Sequence, residues 1–115
     1  MARKKVNARK RVTKRVTKRS VKRPYVIVRC RDAGVHAGEY VKHSGREVQL
    51  FNARRIWFWK GAASLSELAV HGAKNPSECK FSVPVDTLTL LDACEIIHCQ
   101  PAGAKMIREC AEWRA

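Results

Sequence analysis

No carboxylate occurs among the first 24 residues, no two cysteines stand at a C-x-x-C spacing, and no long apolar run appears anywhere. Each absence excludes something. A membrane-spanning helix needs roughly 18 consecutive apolar residues, so the sequence predicts no membrane partner. An apolar h-region is equally missing, and the N-terminal residues do not read as a secretory signal. Without such a signal, five cysteines, an odd number, are expected to be free thiols in a reducing compartment. Cys94, His98 and Cys99 lie close together, but strand alternation would turn His98 and Cys99 to opposite faces. No metal and no cofactor is therefore expected, and the thiols are read as buried and structural. The G-x-S-x-G, P-loop, G-x-G-x-x-G and H-E-x-x-H signatures are all missing. Asp32 and His36 flank a glycine-rich turn, yet no nucleophile stands with a base, and the chain reads as non-catalytic.

What is present is positive charge, unevenly placed. The 115 residues hold 24 Lys+Arg against 10 Asp+Glu, a net charge of +14. Twelve of the cations fall in residues 1–24: Arg3, Lys4, Lys5, Arg9, Lys10, Arg11, Lys14, Arg15, Lys18, Arg19, Lys22 and Arg23. Residues 25–115 are close to neutral. Within the arm, V-T-K-R occurs at Val12–Arg15 and again at Val16–Arg19. Like charges at i,i+4 repel, and Val and Thr are mediocre helix formers, so the arm is expected to be disordered until it meets an anion. Lys/Arg-dense arms bind phosphates by counterion release without reading bases.

The remainder reads as one small domain, residues 25–115. Tyr25–Arg31 is β-branched and strand-like, followed by punctuation at Asp32–Gly38. Glu39–His43, a Ser44-Gly45 turn and Arg46–Phe51 suggest a hairpin. Arg54–Lys60 forms a third β segment beyond Asn52-Ala53. Ser64-Leu-Ser-Glu67 is a capping-box start for a short helix with Leu65, Leu68 and Ala69 on its apolar side and Gly72 as its stop. Cys79–Val85 and Glu95–Cys99 alternate as strands, Asp86–Ala93 stays ambiguous, Pro101–Cys110 suits a final helix, and Trp113 is expected to fold back onto the core. The expected fold class is α+β: a mainly antiparallel β domain of about five strands with one or two short helices, preceded by the basic arm.

Period-2 parity divides residues 46–60. Val48, Leu50, Ile56 and Phe58 form the expected core face. Glu47, Gln49, Phe51, Arg55, Trp57 and Trp59 form the other, where Trp57 and Trp59 beside Arg55 suit base stacking. Arg54 and Lys60 are expected to add phosphate contacts at the edges. A central strand buried on both faces would also carry aromatics at both parities, and a bulge at Asn52-Ala53 would reverse the assignment.

The block Asn52-Ala-Arg-Arg-Ile-Trp-Phe-Trp-Lys-Gly-Ala-Ala-Ser-Leu-Ser-Glu-Leu-Ala69, with Arg31–Gly38 upstream and Cys79–Val85 downstream, resembles a family of small, functionally unassigned proteins of tailed bacteriophages. The resemblance spans about residues 25–100, omits the arm, and implies a bacterial-cytoplasmic or virion setting without bringing catalytic residues. The expected function is a non-catalytic nucleic-acid-binding accessory protein, for DNA or RNA. The rivals are a module for a small anionic ligand at Arg54, Arg55, Trp57, Trp59, Lys60 and the Ser64 helix start, or for a host protein as a counter-defence factor. A structural virion component is the third reading, and homo-oligomerisation is compatible with each.

Overall fold

The computed structural model describes residues 22–115. The expected disorder of the arm, and the phosphate contacts assigned to Arg3 through Arg19, fall outside those residues. The described chain runs β1 (Tyr25–Cys30), β2 (Val35–Ser44), β3 (Glu47–Phe58), α1 (Leu65–His71), a 3-10 turn (Pro76–Glu78), β4 (Lys80–Phe81), β5 (Val85–Leu90), β6 (Ala93–His98) and α2 (Pro101–Glu109). This is a six-stranded antiparallel sheet with two helices, as the sequence predicts in class.

Strands β1, β2 and β3 form a meander; β6 joins the outer side of β1, while β5 and β4 pair successive halves of β3. The order β6-β1-β2-β3-β5 places β5 and β6 at opposite edges. In a flat sheet those edges would lie four strand spacings apart, about 19 Å. Only Leu91 and Asp92 connect them, and three Cα steps reach about 11 Å at most. The sheet must therefore roll until its edges meet at this corner. Asp92 ties the corner to the end of β1: its carbonyl accepts from the Arg31 N–H at 3.0 Å and its carboxylate from the Asp32 N–H at 2.7 Å. The Ala93 N–H donates to the Arg46 carbonyl at 3.0 Å.

Rolling divides the core in two. Val26, Val28, Cys30, Val48, Leu50, Ala53, Leu90 and Ala93 pack within the roll. Tyr25, Ile27, Ala37, Ile56, Phe81 and the helix residues Leu68, Ala69, Ala104 and Ile107 pack outside it. β1 lies between the two clusters, which is why its sequence is an apolar run rather than an alternation.

Several boundaries differ from expectation. β2 begins at Val35, so part of the stretch read as punctuation is strand. The segment read as one strand over Cys79–Val85 is two, β4 and β5, separated at Ser82–Pro84, while the ambiguous stretch after it belongs largely to β5. The two β segments expected on either side of Asn52-Ala53 are one strand, β3. The Ser64 capping box forms: the Ser64 Oγ accepts from the Glu67 N–H at 3.2 Å, and the Glu67 carboxylate from the Ala63 N–H at 2.7 Å. α2 follows Pro101 at its first turn, where a missing N–H costs nothing.

Candidate nucleic-acid interface

A single backbone irregularity decides where the β3 side chains go. Glu39 pairs with Phe51, but Ala37 pairs with Arg54, so Asn52 and Ala53 together face Gly38. Asn52 takes the left-handed conformation, φ 50°, which asparagine tolerates better than most residues. Gly38 is required opposite, since a Cβ there would meet Ala53 Cα and the Phe51 carbonyl oxygen, each at 3.0 Å. This bulge reverses the parity of the residues after it as far as Ile56, and a second register shift falls between Ile56 and Phe58. Val48, Leu50 and Ile56 are all buried as expected, but Val48 and Leu50 line the inside of the roll and Ile56 the outside. Phe58, expected in the core, is 46 % exposed.

The reversal also carries Arg54 inward. Expected at the surface as a phosphate contact, it is only 2 % exposed. Its Nε donates to the Ser82 carbonyl at 2.8 Å, and Nη1 to the Ile107 and Cys110 carbonyls at 2.7 and 2.8 Å. Nη2 reaches the Phe81 carbonyl at 3.4 Å. The guanidinium thus satisfies carbonyls at the C-terminal end of α2, where positive charge is favoured, and locks that helix to β3. It is a structural cation, not an arm of a surface cluster.

The other members of that cluster also separate. Trp59 is half-buried, packs on the outer core, and donates from its indole Nε1 to the Ala62 carbonyl at 3.2 Å. Lys60 is exposed and pairs with Glu78 at 3.2 Å. At the start of α1 the Ala63 and Glu67 N–H groups are already taken by side chains. Arg55 is exposed, with Nη1 donating to the Ala33 carbonyl at 2.8 Å. Phe51 is half-buried with the Arg23 guanidinium 4.9 Å from its ring centroid, and Lys22 is exposed.

Trp57 stays outside, 65 % exposed, but its neighbour is Trp113 rather than Trp59. The two indoles lie nearly parallel, centroids 6.3 Å apart and planes 12° from one another. Trp113 is itself 48 % exposed. It does fold back, though onto the β4 edge: its N–H donates to the Phe81 carbonyl at 2.9 Å, and Glu112 bridges Phe81. Lys80 Nζ stands 5.2 Å from the Trp113 ring and 5.9 Å from Phe58. The result is an exposed aromatic ledge, Trp57, Trp113 and Phe58, with an ammonium beside it. Sequence reasoning missed Trp113, Lys80 and Phe58 as site residues. A lone Trp near the end of a chain was the available signal, and nothing local says which strand will receive it.

Several titratable groups elsewhere are buried, and burial disfavours their charged forms. Burial raises the Cys30 and Cys99 thiols to about 11 and raises Cys110. Cys30, Cys79 and Cys110 are buried as expected, Cys99 is half-buried and Cys94 is exposed. Burial also lowers His36, whose Nε2 faces the Ala33 carbonyl at 2.9 Å. Among the described residues no group of three or more His, Cys, Asp or Glu is placed to hold a metal. No helix among them is long and apolar enough to cross a membrane.

Residues 23–107 match the family described as a domain of unknown function (DUF6948), and the chain belongs to that family. No curated protein and no solved structure matches the chain.

Proposed function

We propose that this family member is a non-catalytic nucleic-acid-binding protein, with the basic arm contacting phosphates and the Trp57–Trp113 ledge stacking unpaired bases. The exposed parallel indole pair carries the reading. Large aromatics are normally covered, and a solvent-facing π surface beside an ammonium is what a sequence-tolerant single-strand binder needs. Lys80 would meet the phosphate next to a stacked base, and Arg55 extends the positive charge on the same strand. The charge of residues 1–24 supplies affinity that needs no base contact. The resemblance to tailed-phage proteins makes the bacterial cytoplasm or the virion the setting of this reading.

The test is binding of the full-length protein to labelled single- and double-stranded DNA and RNA across a salt series. Each phosphate contact contributes about −0.7 to the log–log salt slope for a single strand. Replacing the twelve arm cations by glutamine should flatten that slope. Trp57→Ala should weaken single-strand binding about 5- to 150-fold, the equivalent of about 1–3 kcal/mol for one stacked base, and leave the slope unchanged. Salt-insensitive binding, or equal affinity of Trp57→Ala and wild type, would overturn the proposal.

A further inference from the structure

Away from the ledge, where the arm enters the domain, Tyr25, Glu39, Asn52, Arg54, Pro84 and Arg108 enclose a pocket of about 280 Å³. Its composition is unusual for a surface depression. The Tyr25 hydroxyl is buried and has no hydrogen-bond partner. An unmet hydroxyl inside a fold is costly, and most buried polar atoms find a partner. Burial pushes the Tyr25 phenol up to about 12, and of the four groups whose charge acts on it, Arg108, Arg54, Cys99 and Glu39, all but Cys99 line the pocket.

Two guanidiniums meet there. Arg108 projects from α2 with its Cζ 4.5 Å above the Tyr25 ring. Arg54 approaches from the core, and its Nη2 makes only the longest of its four contacts, 3.4 Å. Glu39 also forms part of the wall, its carboxylate accepting from the Asn52 side-chain amide at 3.0 Å. Asn52 is also the residue held at positive φ, so the strained point of the bulge forms part of this wall.

We propose that the pocket binds a small molecule through an oxyanion, phosphate or carboxylate, that accepts from the Tyr25 hydroxyl and from Arg108 and Arg54. Glu39, in the pocket wall, accepts from a hydroxyl or ammonium group on the same molecule. Guanidinium pairs favour planar or tetrahedral oxyanions because their N–H groups donate in parallel. The volume lies at the lower limit of small-molecule pockets, which suits a sugar phosphate or an amino acid rather than a dinucleotide. This site uses none of Trp57, Trp113 or Lys80 and does not rest on the nucleic-acid reading.

The experiment is an amide NMR titration of the full-length protein with ribose 5-phosphate, inorganic phosphate and glutamate, with ribose as the neutral control, at constant ionic strength. Saturable shifts at Tyr25, Glu39, Asn52 and Arg108 are expected with at least one of the three anions and not with ribose. Arg108→Gln, at an exposed position, should weaken that binding at least tenfold. Tyr25→Phe, which retains the ring, should weaken it about threefold, and Lys74→Gln should leave it unchanged. Shifts confined to residues 3–23, shifts that grow linearly without saturating, or an unaltered affinity in Arg108→Gln would each overturn the proposal. Loss of nucleic-acid binding in Trp57→Ala has no bearing on these outcomes, so the two readings fail separately.

Discussion

Gly103→Ala sets helix propensity directly against packing. Gly103 is in the first turn of α2, where alanine is favoured by at most about 1 kcal/mol. It is also where α2 crosses α1: a Cβ at this position would stand 2.0 Å from the Ala69 carbonyl oxygen and 2.7 Å from that of Leu68. An ordinary contact is about 3.4 Å, so the helices must part by roughly 1.4 Å, and the neighbours are backbone atoms that cannot swing aside. A gap of 0.5–1 Å already forfeits a quarter to a half of a dispersion contact. The same displacement would stretch the Gln100 N–H to Ala69 carbonyl bond, 3.0 Å, and draw the Ile107 and Cys110 carbonyls away from Arg54. Overpacking costs about 1–3 kcal/mol and each weakened hydrogen bond about 1 kcal/mol, so after the propensity gain a net loss of about 3 kcal/mol is expected. For a domain of this size that lowers Tm by about 10–20 °C. Thermal unfolding followed by circular dichroism measures it. A Tm equal to or above wild type would refute the helix contact as described.

Arg54→Met keeps the apolar stem but strands the Ser82, Ile107 and Cys110 carbonyls, and should cost about 3 kcal/mol or more in urea unfolding; a loss under about 1 kcal/mol would show that the guanidinium is not structural. Stability should fall as pH rises above about 9, because Cys30 and Cys99 are raised to about 11 and Tyr25 to about 12 in the fold: the unfolded chain loses these protons first. At the acid side, His36 is lowered, so stability is complete above about 6.5 and declines as pH drops through its folded value; a urea midpoint flat from pH 7 down to 5 would contradict this. Exposed Cys94 should react first with a thiol reagent under native conditions, with Cys30, Cys79 and Cys110 reacting only on opening; early labelling of a buried thiol by peptide mapping would contradict the packing.

Features encoded locally were readable in the sequence. The Tyr25–Cys30 strand follows from a β-branched run, α1 from Ser64 and Glu67, and α2 from Pro101 followed by small and apolar residues four apart. The fate of Arg54, by contrast, depends on the Asn52 bulge, and the bulge depends on Gly38 being opposite it on the neighbouring strand. No periodicity within residues 46–60 contains that information. Both Arg54 and Arg55 are therefore read from sequence as surface cations, yet one plugs a helix end and the other meets solvent. The ledge was half legible: Trp57 was singled out, but it was paired with Trp59 two residues away instead of Trp113, which arrives from 56 positions downstream. The pocket at Tyr25 was not legible, since α2, β1 and the bulge each supply only part of it.

The two-residue corner at Leu91–Asp92 also constrains the order of events during synthesis. β1, β2 and β3 are neighbours along the chain and can pair as soon as they are made. Yet β1 receives its second partner from Ala93–His98 and its outer cover from α1 and α2, all more than 30 residues later. Until the corner turns, β1 presents an open edge, and its outer face lacks the cover that α2 brings. Long-range closures of this kind are slow, and a growing chain is exposed to wrong partners meanwhile. The strand that sits at the centre of the finished domain is thus the first to be made and the last to be enclosed.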